Sequence, residues 1–423
     1  MTHFGIICPA ESGHLNTFFP LAQELKQRGH RLSFITIIDG QQKILAAGFE
    51  AQVIGADLFP LGKLKERFIE LGQLNGLAAL KFTINLIKDT ATILLRDAPQ
   101  IIRDQGIEAL LVDQTLREGG SVAEFMGIPF ITICSAVVLN RDPEVPPFNT
   151  AWEYSSTWQS RLRNKLGYKL LSRVTKPISE TIGEYRQARN LPLHSTVNDA
   201  YSALAQITHQ PQEFEFPRQN LPPYFHFTSP FHSEANREPV AFPWEKLTGQ
   251  PLIYASMGTL QNRLTEIFTT ITSACAELDA QLVITMGGAD IPESLQNLPG
   301  NPLIVSYAPQ LQLLPQVALT ITHGGMNTTL ECLTYGVPMV AIPIANDQPG
   351  IASRIAWSGV GEMIPLKKLN TENLQQAIKQ VLTEDGYKKN ALRLQEAIKQ
   401  GGGASRAADI IEQAVATGKP VLA

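Results

Sequence analysis

Residues 307–348 read YAPQLQLLPQVALTITHGGMNTTLECLTYGVPMVAIPIANDQ. The apolar run Ala318–Thr322 ends in His323-Gly324-Gly325, and a helical pattern opens at Met326-Asn327-Thr328. A buried strand, a glycine turn and a helix N-terminus in that order make an anion site. The first helical N–H groups have no partner within the helix and lie at the positive end of its dipole, which suits a phosphate. Glu331, Asp347 and Gln348 add acceptors suited to sugar hydroxyls. Phosphate cradle and hydroxyl-reading groups together point to a nucleotide-sugar site on an α/β scaffold.

The same pattern extends to either side. Apolar runs at Leu252–Ser256, Gln281–Thr285, Leu303–Ser306 and Met339–Ile342 read as further strands, with helical patterns at Thr265–Leu278, Thr328–Tyr335 and Asn370–Leu382 between and after them. The loop Ala255-Ser256-Met257-Gly258-Thr259 offers a second strand-to-helix turn, whose glycine permits close backbone approach and whose hydroxyls suit phosphate oxygens. Two such loops can clasp one diphosphate, with His323 in place to touch it.

A similar alternation fills the first part of the chain: strands at Phe4–Cys8, Arg31–Ile37, Leu110–Asp113 and Phe130–Cys134, and helices at Leu15–Arg28, Gln41–Ala47 and Gly119–Met126. Strands alternating with helices imply parallel sheets covered on both faces. The segments 58–105 and 152–190 are mainly helical insertions, expected to wall a binding site. Prolines cluster at 211, 217, 222, 223, 230, 239 and 243, where they obstruct regular structure. We therefore expect an N-terminal acceptor-binding domain over 1–215, a linker over 216–243, and a C-terminal nucleotide-sugar domain over 244–402. A last helix, in 403–423, is expected to return to the first domain. Ligands of such sheets bind beyond the carboxyl ends of the strands, so two facing halves make a cleft.

Composition narrows the class. A chain of 423 residues with 44% hydrophobic and 17% charged residues is that of a globular protein. A net charge of −4 leaves no basic stripe for a nucleic-acid backbone. Cys8, Cys134, Cys275 and Cys332 lie far apart in apolar segments without metal-binding spacing, as expected of buried thiols in a reducing cytoplasm. The first ten residues read as a strand rather than a signal peptide. No apolar run is long enough to span a bilayer, so the expectation is a cytoplasmic protein, attached at most to a membrane surface, with 58–95 as the candidate contact.

Gly13-His14-Leu15-Asn16 follows the first strand and opens the first helix. Transfer of a sugar to a hydroxyl needs a base, and histidine titrates near neutrality. A carboxylate that fixes its tautomer would complete the device. Asp113, at the end of the strand over 110–112, is the candidate; Glu11 and Asp39 are weaker ones. A dinucleotide oxidoreductase would need G-x-G-x-x-G after a strand, and Pro9-Ala10-Glu11-Ser12-Gly13 does not supply it. A non-catalytic carrier would have no use for the His14–Asp113 pair.

Y-A-P-Q, H-G-G-M-N-T-T-L-E, G-V-P-M and D-Q, taken with the N-terminal G-H and the later V-D, resemble the UDP-dependent glycosyltransferase family over the whole chain. The resemblance implies a two-domain GT-B fold and transfer with inversion from a UDP-sugar co-substrate to an acceptor hydroxyl. It implies that His14 is the base and Asp113 its orienting partner. In the donor half, Tyr307, Ala308 and Gln310 would flank the base and Glu331 would bind the ribose. Ser256, Gly258, Thr259, His323, Gly325, Met326, Asn327 and Thr328 would surround the diphosphate, and Asp347 with Gln348 would read the sugar. The plant pattern has tryptophan where this chain has Tyr307 and Met326. No D-x-D occurs, so no metal is expected. Segments 112–114, 139–143, 255–261, 347–355 and 407–413 further resemble the carotenoid-glucosylating branch of the family. That branch implies UDP-glucose as donor and an apolar, hydroxylated acceptor.

Overall fold

A computed structural model describes residues 1–71, 74, 76–232, 240–258, 265–288, 291–295 and 298–423. The first half holds β1 (His3–Ile7), β2 (Arg31–Ile37), β3 (Glu50–Ile54), β4 (Ala109–Asp113), β5 (Phe130–Cys134), β6 (Gln206–Thr208) and β7 (Phe225–Phe227). They form one sheet in the order β3-β2-β1-β4-β5-β6-β7, parallel throughout. The second half holds β8 (Leu252–Ser256), β9 (Gln281–Thr285), β10 (Leu303–Val305), β11 (Val317–Thr322), β12 (Met339–Ala341) and β13 (Gly361–Met363). These form a second parallel sheet, β10-β9-β8-β11-β12-β13. The α/β alternation thus yields two Rossmann-like sheets. Each is buried on both faces, which is why its central strands are continuous apolar runs rather than alternating ones.

Register positions the site. Ile7 of β1 lies beside Val112 of β4, so the helix Ser12–Gln27 and Asp113 leave the sheet at the same edge. Ser256 of β8 pairs with Thr322 of β11, so the loops 257–258 and 323–325 emerge side by side.

The prolines of 216–243 do not exclude sheet structure. β7 lies in that stretch and extends the first sheet to Phe227, beyond the expected boundary at 215. It is a three-residue edge strand, and an edge tolerates flanking prolines because one side of it has no ladder to donate to. The helix Gly403–Thr417 packs on Ser12–Gln27. Its Ala407, Ile410, Ile411 and Ala414 join Phe4, Phe18, Leu21 and Phe34 in the core of the first half. Arg28 pins it through Asp409 (2.7 Å) and Glu412 (2.8 Å).

The halves touch through buried charge as well as through the cleft. Glu215 accepts from Arg354 at 2.6 Å and from Arg218 at 3.1 Å, and all three side chains are at most 2% exposed. Burial alone would raise the Glu215 pKa, but the two guanidiniums hold it below the usual range. Arg218 also donates to the carbonyls of Val138 and Asn140, which ties this ion cluster to the loop after β5.

Candidate active site

On the first half, the helix Ser12–Gln27 begins five residues after β1 ends, and His14 stands in its first turn. Its Nδ1 lies 2.9 Å from Asp113 Oδ2 although the two residues are 99 positions apart. Asp113 is fully buried and accepts hydrogen bonds on both oxygens. Oδ1 takes the backbone N–H of Thr115 (2.8 Å) and its hydroxyl (2.6 Å). Oδ2 takes His14 and the hydroxyl of Ser135 (2.5 Å). Burial would push the carboxyl up, but the imidazole charge and these donors hold it below its ordinary value. An ionised, accept-only Asp113 draws the Nδ1 proton to itself and leaves Nε2 as the basic nitrogen of neutral His14. For His14, burial works downward, yet the Asp113 carboxylate outweighs it and lifts the ring to about 9.

Ser135 was not expected. It follows β5 directly, is 5% exposed, and lies 2.8 Å from His14 Nδ1 as well as on Asp113. Its carbonyl accepts from buried His209 at 3.1 Å. The signal was its position one residue beyond the carboxyl end of a strand, the same edge that carries Asp113. Of the weaker candidates, Asp39 instead accepts from the Gly62 N–H at 3.0 Å, and Glu11 gives its carbonyl to the first turn of the helix. The segments 112–114 and 139–143 meet: Gln114 accepts from the Leu139 N–H and donates to Asn140, which donates to Gln206.

On the second half, His323 leaves β11 between two glycines. A Cβ at Gly258 would lie 2.7 Å from its Nε2, and one at Gly325 2.5 Å. Gly258 also has φ +76°, so both space and backbone require glycine there. Burial pushes the imidazole down to about 4, so it is neutral at physiological pH. Its Nδ1 is buried and has no hydrogen-bond partner among the described residues. The helix Met326–Thr334 starts immediately after Gly325 and aims its open N–H groups at the same space.

Gln310 and Glu331 are joined, the amide of Gln310 donating to the carboxylate and its oxygen accepting from Tyr254 at 3.0 Å. Tyr307 is 44% exposed. Asp347 accepts from the Val137 N–H at 3.5 Å, across the cleft. Burial raises its pKa. Gln348 uses its side-chain oxygen on the N–H groups of Ile344 and Ala345, which leaves only its NH₂ for a ligand. Asn327 also spans the cleft: it donates to Gly13 O at 2.7 Å and accepts from Thr17 at 3.1 Å. Ser256 and Thr328 flank this space from their strand and helix ends. The side chains of Met326, on the inward face of its helix, and of Ala308 are 6% and 3% exposed and belong to the hydrophobic core, so a ligand would meet their backbones. Thr259 lies outside the described residues.

Among the described residues, no group of three or more His, Cys, Asp or Glu side chains is arranged to hold a metal ion. No helix there is long and apolar enough to cross a membrane. The four cysteines are buried free thiols.

Comparison with known proteins places this geometry. The chain is 34% identical to a zeaxanthin glucosyltransferase of Pantoea ananas, over all of this chain and 98% of that protein. It is 29% identical to one of Pseudescherichia vulneris, over the whole of both, and 26% identical to the NDP-glycosyltransferase YjiC of Bacillus subtilis, over 97% and 96%. Among solved structures, the glycosyltransferase of kitacinnamycin superposes with a TM-score of 0.77 at 21% identity, over 97% of this chain and 98% of that one. VinC in complex with dTDP gives 0.71 at 17%, over 98% and 100%. The two facing parallel sheets are thus the GT-B arrangement of glycosyltransferases. The profile described as "UDP-glucoronosyl and UDP-glucosyl transferase" matches residues 90–400, and the chain belongs to that family of glycosyltransferases.

Proposed function

We propose that this enzyme moves glucose from UDP-glucose to a hydroxyl of a hydroxylated carotenoid such as zeaxanthin, with inversion, and that His14 is the base. One observation carries the mechanism: the His14 Nδ1–Asp113 Oδ2 bond of 2.9 Å in the strand-to-helix connection facing the donor half. Neutral His14 takes the acceptor O–H proton on Nε2 as that oxygen bonds to the anomeric carbon. The bond from that carbon to the UDP oxygen breaks, and both electrons leave with UDP. Attack opposite the leaving group turns an α-linked donor into a β-glucoside. The diphosphate charge develops against the N-terminus of the helix Met326–Thr334 and neutral His323, which offers an N–H without a proton to lose. Asp113 and Ser135 hold the ring.

Donor and acceptor rest on the two relatives named zeaxanthin glucosyltransferase. A second reading, a transferase of broad acceptor range that takes other nucleotides, is favoured by the NDP-glycosyltransferase relative and by exposed Tyr307 where the plant pattern has tryptophan. A panel of UDP-glucose, dTDP-glucose and UDP-galactose against zeaxanthin and flavonoids, read by product mass, separates the two. The proposal expects a zeaxanthin glucoside from UDP-glucose as the preferred product. Equal turnover of flavonoids with dTDP-glucose would replace it by the second reading.

A further inference from the structure

The helix Trp158–Val174 is turned inside out. Its buried residues are polar-tipped, Asn164 at 0% and Tyr168 at 8% exposure, and they donate to the carbonyls of Pro143 and Pro146. Its outer face carries Trp158, Leu162, Leu166 and Leu170, exposed by 69%, 50%, 60% and 61%. Residues four apart stack on one side of a helix, so these four form a single stripe. Beside it, with Trp152 as the far wall, runs an open groove of about 510 Å³. One exposed leucine needs no explanation, but a continuous apolar stripe on a folded surface marks a contact.

Charge identifies what it contacts. The helix has five basic residues and no acidic one, within a chain of net charge −4. Arg161 is paired with Glu144, and Arg163 lies on the Trp152 ring. Lys165, Lys169 and Arg173 make no side-chain hydrogen bond or salt bridge among the described residues, and at 100° per residue they fall on the same side as the stripe. Apolar side chains interleaved with unpaired cations, a tryptophan at one end, and about 25 Å of length describe a helix that lies in the headgroup layer of an anionic bilayer.

We propose that the helix Trp158–Val174 docks this enzyme on anionic membrane surfaces, with Trp158 and the three leucines inserted and Lys165, Lys169 and Arg173 on the lipid phosphates. The proposal does not depend on which acceptor the enzyme uses. It relocates the membrane contact from 58–95 to a different insertion.

Sedimentation with phosphatidylcholine vesicles, with and without phosphatidylglycerol, tests it on the full chain. The wild type is expected to bind the mixed vesicles, to bind pure phosphatidylcholine weakly, and to come off as salt is raised. Its tryptophan emission should shift to the blue on binding. K165E/K169E/R173E should weaken binding to mixed vesicles about a hundredfold or more, at roughly fivefold for each cation lost near the surface. W158S/L162S/L166S/L170S should abolish the binding and the emission shift. UDP affinity and melting temperature, measured alongside, show that each variant is folded. Equal binding by wild type and both variants, or no binding by the wild type, would overturn the proposal. So would a wild-type dimer that the serine variant converts to monomer while vesicle binding is unchanged, since the stripe would then be covered by a second copy of the chain.

Discussion

Two histidines, one on each half, occupy similar places and have opposite characters. His14 is in the first turn after β1, and His323 directly follows β11. Burial disfavours the charged ring in both. Asp113 overrides burial at His14 and lifts it to about 9, whereas among the described residues no carboxylate offsets burial at His323, which falls to about 4. A sheet edge therefore supplies only the position. The partner decides whether a histidine there can take up a proton or stays a fixed neutral donor.

The strongest way to break this contrast is to remove each ring. His14→Ala should lower turnover by about 10²–10⁴-fold, the range for a lost general base, with UDP affinity unchanged in calorimetry. His323→Ala should cost about 10²-fold, as for one lost electrostatic stabiliser, and should weaken UDP as well. Matching losses of turnover with unaltered UDP affinity in both variants would mean that the two rings do not divide the work. The pH profile sharpens the contrast. The base must be neutral, so kcat/KM should rise about tenfold per pH unit and level off near 9, without an inflection from His323.

Stability should move in opposite senses at the two rings. His14, raised above its ordinary 6.5, adds stability that is complete below 6.5 and lost as pH climbs through 9. His323, lowered from 6.5, stays neutral while the unfolded chain protonates, so its share of stability falls as pH drops from 6.5 toward 4. The smallest effect is expected from Ser135→Ala. Losing one hydrogen bond to the pair should cost about tenfold or less and move the midpoint of the kcat/KM profile. An unmoved midpoint would remove Ser135 from the machinery.

What the sequence made legible was whatever repeats locally. The strand–glycine–helix passage at 317–331 could be read from apolar run length and two glycines, and it fixed the second sheet. The pairing of His14 with Asp113 spans 99 residues; its place at a strand end made Asp113 a candidate, and the family resemblance singled it out from Glu11 and Asp39. β6, β7 and β13 have three residues each and are broken by polar residues or glycine, so unlike the equally short but wholly apolar β10 and β12 they leave no apolar run to read. Met326 stands among ligand-facing neighbours, yet the phase of its helix turns it into the core. The helix at 158–174 looks amphipathic in sequence, but a pattern of apolar and polar residues cannot say which face the protein keeps.

The return of residues 403–417 to the first half has a consequence for biosynthesis. The first sheet is translated early, but its face against Ser12–Gln27 lacks Ala407, Ile410, Ile411 and Ala414 until the second half has been made. Folding that proceeds from the N-terminus during synthesis must then carry an unsealed apolar surface through some two hundred further codons. Ribosome-bound chains halted before residue 403 should bind a hydrophobic dye that the finished protein excludes. The half that carries His14 is thus begun first and closed last.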